Sequence, residues 1–120
     1  MPAVLVVDDD AAVRRQLCET LVEEGYDALE ASDGRSALAV VQGRHIDLVL
    51  LDLSLGDMDG LEVLERLRPH VAKVLVLSFR AEERAFVRAF ELGAAEYLTK
   101  PVTPTFLVER IRTVLAAQPA

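Results

Sequence analysis

A single cysteine, Cys18, is the whole thiol inventory of the 120 residues, which excludes an intramolecular disulfide and any thiol cluster for zinc or iron-sulfur ligation. No apolar run approaches the ~20 residues a bilayer-spanning helix needs, so no membrane role is expected. The start of the chain has no basic patch followed by an apolar stretch of about 7 to 15 residues, because Asp8, Asp9 and Asp10 arrive first. No secretory signal is read, and the expected compartment is the cytoplasm. Positive charge is also short. Thirteen Lys plus Arg against twenty Asp plus Glu leave a formal charge of -7, which argues against direct binding of nucleic acid or anionic lipid by this domain. Proteins and cations are the expected partners. Repeats and low-complexity tracts are missing as well.

What remains is a globular balance, 52% hydrophobic and 28% charged. The length suits one domain, residues 1–120 with an ordered core of about 3–117, and leaves no room for a second. Gln118-Pro119-Ala120 reads as the start of a linker, as if the chain were the N-terminal part of a longer protein.

The apolar pattern switches period five times. Ala3 to Val7 predicts a strand that stops at the acidic cluster, and Ala11 to Glu24 predicts a helix packing through Val13, Leu17, Leu21 and Val22 with Arg14 toward water, closed by Gly25. Asp27 to Ala31 is a weak second strand; Ser32-Asp33-Gly34 is a turn and cap before a helix facing inward through Ala37, Leu38, Val40 and Val41, which ends at Gly43. Leu48 to Leu51 is a run apolar on both faces, as a buried parallel strand requires. Gly56 to Gly60 is a loop, and the short helix after it stops at Pro69. Lys73 to Ser78 is the fourth strand, and Ala81 to Leu92 is a helix with Ala85, Phe86, Ala89 and Phe90 inward. Ala95 to Thr99 is the fifth strand, and Thr103 with Pro104 opens a last helix that packs through Leu107, Val108, Ile111, Val114 and Leu115, with Phe106 at the edge of that face. Strand and helix in strict alternation predict an α/β fold, a doubly wound five-stranded parallel sheet with five helices.

Ligands of such sheets bind beyond the carboxyl ends of the strands. Those ends offer Asp8, Asp9 and Asp10, then Asp52, then Ser78, then Thr99 and Lys100. In the flavodoxin-like order 2-1-3-4-5 the first and third strands are neighbours, and carboxylates from both share one pocket. They repel by roughly 1 kcal/mol per pair even in water. Lys100 relieves part of this, and a hard divalent cation with oxygen ligands, magnesium before zinc or copper, would relieve the rest. The plainer alternative is a Lys-Asp ion pair without metal. An Asp, a divalent ion, a Lys and a Ser hydroxyl together suit phosphoryl transfer onto a carboxylate, with Asp52 as nucleophile.

Val6-Val7-Asp8-Asp9 with Arg14 five residues on, Asp52 ending a strand, Met58-Asp59-Gly60, Leu77-Ser78, and Ala95-Glu96-Tyr97-Leu98-Thr99-Lys100-Pro101 resemble the receiver domain of bacterial two-component response regulators over nearly the whole chain. The resemblance implies that Asp52 takes a phosphoryl group from a histidine kinase or phosphotransfer protein. It implies that Asp8, Asp9, Asp52 and the backbone carbonyl of Ser54 hold Mg2+, Asp9 directly and Asp8 through water. Ser78 would follow the phosphoryl group, Lys100 would contact it, Tyr97 would be a switch aromatic, and the Lys100-Pro101 bond would be cis. It further implies a phosphoacceptor that assists its own transfer rather than an enzyme with turnover, and a homodimer or output surface on the fourth and fifth helices.

Three positions depart from the family pattern. Gly56 stands for the common proline and should loosen its loop. Phe79 stands where a small residue is usual and should restrict access to Asp52, while Ser54 and Arg80 occupy places that tune the phosphoryl lifetime, so slow dephosphorylation is expected. These departures keep open a phosphorylation-independent pseudo-receiver, an interaction module. A phosphohydrolase fits less well, since Asp52-Leu53-Ser54 lacks a second acid two residues on. On residue type alone, Tyr97 reads as a half-buried strand aromatic with its hydroxyl in water, His45 and His70 as surface residues, Asp10 as a solvated or capping residue, and Cys18 as packing.

Overall fold

Val4 to Val7 lie in the middle of a five-stranded sheet, which is why that stretch is apolar at every position. The computed structural model describes residues 1–117; the proposed linker start at Gln118-Pro119-Ala120 lies outside them. In chain order the elements are β1 (Ala3–Val7), α1 (Ala11–Glu23), β2 (Asp27–Ala31), α2 (Gly34–Gly43), β3 (Leu48–Leu51), α3 (Gly60–Leu67), β4 (Val74–Ser78), α4 (Glu83–Glu91), β5 (Glu96–Thr99) and α5 (Pro104–Ala116). All strand pairs are parallel, as the alternation predicts, and the order is β2-β1-β3-β4-β5, the flavodoxin-like one.

Strand side chains alternate between faces, so one sheet supplies two cores. Leu5, Val7, Val49, Leu51, Val74, Val76 and Tyr97 point to the side covered by α2, α3 and α4, where Ala37, Val63, Leu64, Ala85 and Ala89 meet them. Val4, Val6, Leu48, Leu50, Leu75, Leu77 and Leu98 point to the side covered by α1 and α5, against Leu21, Leu107, Ile111 and Val114. Two covered faces explain the near-continuous apolar strands. Helix starts follow from local chemistry: Asp10 caps α1 through the Ala12 and Val13 amides, Asp59 caps α3 through Leu61, and Thr103 caps α5 ahead of Pro104. Gly25 and Gly93 take the left-handed conformation that ends α1 and α4, φ 91 and 99.

Four sequence expectations need correction. Val22 is 61% exposed, because the buried stripe of α1 is completed by Leu21 and the next residue is turned ~100° away. Phe90 is half-exposed for the same reason beside Ala89. α4 begins at Glu83 rather than Ala81, and its Glu82 cap offers no side-chain bond. Arg14 does not face water; its guanidinium turns inward onto the end of β1.

Candidate functional site

The register brings β1 and β3 out of the sheet together, Val7 opposite Leu51, so the residues that follow each strand emerge side by side. The Asp52 amide completes the ladder by donating to the Val7 carbonyl, 3.0 Å. Asp8 and Asp52 are left 3% and 7% exposed, two carboxylates at the rim of a buried sheet. β5 lies two strands away, and the backbone after it returns toward them: the Lys100 amide donates to the Ser78 carbonyl, 2.8 Å, and the Lys100-Pro101 bond is cis, as the family resemblance implied.

One ammonium then serves two acids. Lys100 Nζ donates to Asp8 Oδ2 at 2.9 Å and to Asp52 Oδ2 at 3.3 Å. The remaining oxygens accept backbone amides, Asp8 Oδ1 from Asp10 and Asp52 Oδ1 from Ser54. Burial pushes the Asp52 carboxyl above the usual carboxylate range and the Asp8 charge adds to this, while the Ser54 amide and Lys100 pull it back part of the way. Burial alone would lower Lys100, but its bond to Asp8 and the fields of both carboxylates carry it above the ordinary lysine value.

Asp9 is exposed, and one oxygen each from Asp8, Asp9 and Asp52 lie within 4.8 Å of one another. That span is near the ~4 Å across an octahedron with oxygen ligands at about 2.1 Å, and the donors are all hard oxygens. Three acids against one ammonium leave net negative charge at this rim, with only Asp9 exposed. The residues present fit a small divalent cation.

The other predicted residues form a second group. Ser78 is fully buried, and its Oγ accepts from the Arg80 amide at 3.1 Å; it makes no bond to Asp52. Tyr97 is not half-wet, as its residue type alone suggested. It is buried, its ring stacks on Phe86 at 4.2 Å, and its hydroxyl donates to the Arg80 carbonyl at 2.8 Å. Burial raises its ionisation point. The backbone of Arg80 therefore connects Ser78 to Tyr97. Phe79 is 70% exposed, and its ring lies beside Lys100, 5.4 Å from Nζ. Ser54 is exposed and pairs with Asp59 in a short antiparallel bridge, and Gly60 packs so closely on Leu53 that a Cβ would lie 2.3 Å from its Cα.

The sequence reading left two contributors without a role. Arg14 donates to the Asp8 carbonyl at 2.7 Å and pairs with Glu30 of β2 at 3.0 Å; an arginine at fixed distance from an acidic pair was its only signal. Asp57 accepts from the amides of Gly34 and Arg35, a contact across 22 residues or more with no local signature. His45 and His70 are exposed, Asp10 caps α1, and Cys18 is partly buried with burial pushing its thiol up to about 11, all in line with the plain readings.

The sequence pattern of the response regulator receiver domain matches residues 4–112. The phosphate regulon transcriptional regulatory protein PhoB of Pseudomonas aeruginosa is 37% identical over 116 residues, 93% of this chain and 51% of that protein. The alkaline phosphatase synthesis transcriptional regulatory protein PhoP of Bacillus subtilis is 38% identical over 114 residues, 93% of this chain and 48% of that one. This chain thus spans about half the length of the curated relatives it matches. A CheY-like response regulator receiver domain from Methanospirillum hungatei superposes with a TM-score of 0.90 at 34% identity, covering 96% of this chain and 94% of that chain. The alternating elements, the strand order and the acid cluster at the rim of β1 and β3 agree with these matches: the chain belongs to the response regulator receiver domain family of two-component systems.

Proposed function

We propose that the protein is a phosphoacceptor switch: a histidine kinase or phosphotransfer protein donates a phosphoryl group from a phosphohistidine to Asp52, and the protein surface around α4, β5 and α5 responds. The observation that carries this is the shared ammonium, Lys100 bonded to both Asp8 and Asp52 with Asp9 alongside. An Asp52 oxygen attacks phosphorus, the new P–O bond forms as the P–N bond to the histidine breaks, and the imidazole nitrogen keeps the electron pair. Asp8, Asp9, Asp52 and the Ser54 carbonyl would hold Mg2+, which supplies positive charge to the phosphoryl oxygens when bound. Lys100, bonded to Asp8 and Asp52, would supply a second positive charge. Ser78 accepts from Arg80 and so keeps its own proton to donate to a phosphoryl oxygen. A shift of Ser78 toward the phosphoryl group would pull on the Arg80 backbone, which holds the Tyr97 hydroxyl, and thus on the packing of Phe86 in α4.

The chain is a participant that is itself modified, with slow self-dephosphorylation, rather than an enzyme with turnover. Half-exposed Val87 and Phe90 on α4 and Phe106 on α5 support that face as an output or homodimer surface. The net charge of -7 speaks against direct nucleic-acid binding by this domain, and the described residues contain no helix long and apolar enough to cross a membrane; a cytoplasmic location fits both.

Intact mass after incubation with acetyl phosphate or phosphoramidate tests the reading. A gain of one phosphoryl group that needs magnesium and vanishes in Asp52→Asn is expected. No gain in the folded wild type would favour the phosphorylation-independent interaction module instead. In the same assay Phe79→Ala should lose its phosphoryl group severalfold faster than wild type, and an unchanged lifetime would remove Phe79 as a barrier to water.

A further inference from the structure

The first turn of a helix has amides with no partner inside the helix. In α2 these belong to Gly34, Arg35 and Ser36. Asp33, the ordinary cap, takes only Ser36 at 2.8 Å. The other two are taken from outside: Asp57 Oδ1 accepts Gly34 at 2.9 Å and Oδ2 accepts Arg35 at 3.1 Å. The Gly34 amide, and with it that of Arg35, holds the Asp57 carboxyl below the usual range. The approach is close, since a Cβ on Gly34 would lie 2.7 Å from Val63 and 2.9 Å from Met58.

Asp57 sits in the loop between β3 and α3. Near its start, that loop carries Ser54, whose amide holds Asp52 Oδ1. Leu55 and Met58 on either side of its middle pack against the core and Ser54 pairs with Asp59, so Gly56 and Asp57 form its exposed apex. Gly56 has no ring to restrict its backbone, and a Cβ built there would touch nothing within 4 Å.

We infer that Asp57 is a positioning residue that ties the loop carrying Ser54 to the first turn of α2, so that filling the acid site and ordering α2 favour each other. Such coupling is reciprocal: whatever α2 does for affinity at the site, occupancy of the site does for α2. The inference rests on the metal-holding reading of Asp8, Asp9 and Asp52, and makes α2 a second place, apart from α4, where the state of the site is felt.

Amide hydrogen exchange by NMR, with and without magnesium, on wild type and Asp57→Ala tests it, with calorimetry for magnesium affinity. Without metal, Asp57→Ala should speed exchange at Gly34 and Arg35 and also across 55–58. Magnesium should slow exchange at Gly34 and Arg35 in wild type and not in the variant. Groups behind metal ligands typically change affinity 10- to 100-fold, and Asp57 acts one step farther out, so about a three- to tenfold weaker magnesium Kd is expected. The loss should persist at 1 M salt, where charge effects reach only ~3 Å, and adding Gly56→Pro should restore part of it. Exchange that changes at Gly34 and Arg35 alone would overturn the coupling and leave Asp57 a cap; a loss that disappears at 1 M salt would reduce it to a charge effect and overturn it too. Wild type that takes up no magnesium would refute the metal reading instead, while the metal-free exchange comparison still decides the tie between loop and helix. If Asp57→Ala does not fold, Asp57→Asn, which keeps one acceptor oxygen, gives the same comparison with intermediate shifts.

Discussion

β3 is four residues long and carries an aspartate just outside each end, Asp47 before Leu48 and Asp52 after Leu51. Their backbones are alike: each amide donates to a β1 carbonyl, Asp47 to Ala3 at 2.9 Å and Asp52 to Val7 at 3.0 Å. Their carboxylates are not. Asp47 spends one oxygen on the Ala3 amide and the other on His45, and the Ala3 bond holds its carboxyl below the usual range. Other charges at that edge are spent the same way. Lys73 donates to the Leu115 and Ala117 carbonyls near the end of α5, and Glu96 pairs with Arg110. At the opposite edge Asp52 faces other acids, shares its cation with Asp8, and is pushed up by burial. A charge with its own partner is structure. Charges that must share one are a site.

The largest break in this comparison is Lys100→Met. Removing one partner of a buried ion pair leaves the other uncompensated, and here two carboxylates lose their cation, so unfolding at neutral pH without magnesium should become easier by roughly 3 kcal/mol. Denaturant unfolding measures it. Since the lysine value is raised above 10.5 in the fold, the stabilisation is complete below 10.5 and lost as pH rises through the higher folded value; the gap between variant and wild type should close there. A loss of only a few tenths would mean that solvent already screens the pair.

Asp52→Asn should change stability in the opposite sense. The fold favours the protonated form, so the charge is a burden above the folded value, and the neutral amide should gain on the order of 1 kcal/mol at pH 7 by removing a buried charge and, less, its repulsion from Asp8. The gain should shrink as pH falls from that raised value toward 3.8 and vanish below it, where wild type is protonated in both states. Thermal unfolding across that range reads the crossover, and a destabilised variant at pH 7 would show that Lys100 outweighs burial. Asp47→Asn should be the smallest change, a loss below about 1 kcal/mol at pH 7 because the pair with His45 is exposed. Its sign is the ordinary one: stability present above 3.8 and lost as pH falls through the depressed folded value. Equal pH profiles for the Asp47 and Asp52 variants would erase the distinction drawn between the two ends of β3.

Which polar residues reach the carboxyl edge of the sheet was legible because each stands at a strand end: Asp8 after Val7, Asp52 after Leu51, Ser78 ending β4, Lys100 after Thr99. A strand buried on both faces can carry polar groups cheaply only at its ends, so the break in the pattern marks the rim. Helix faces were less legible. Val22 and Phe90 follow Leu21 and Ala89, and composition cannot say which of two adjacent apolar residues the sheet covers.

The sequence by itself determined the α/β alternation, the helix caps at Asp33 and Thr103, and the acids that follow the strands, because these follow from local periodicity and short-range hydrogen bonds. Only the tertiary structure decided that Lys100 divides itself between Asp8 and Asp52, that Tyr97 hangs from the Arg80 carbonyl, and that Asp57 closes the first turn of α2. Each of those joins residues 17 or more apart, and no local propensity encodes a partner that arrives only when the sheet has assembled.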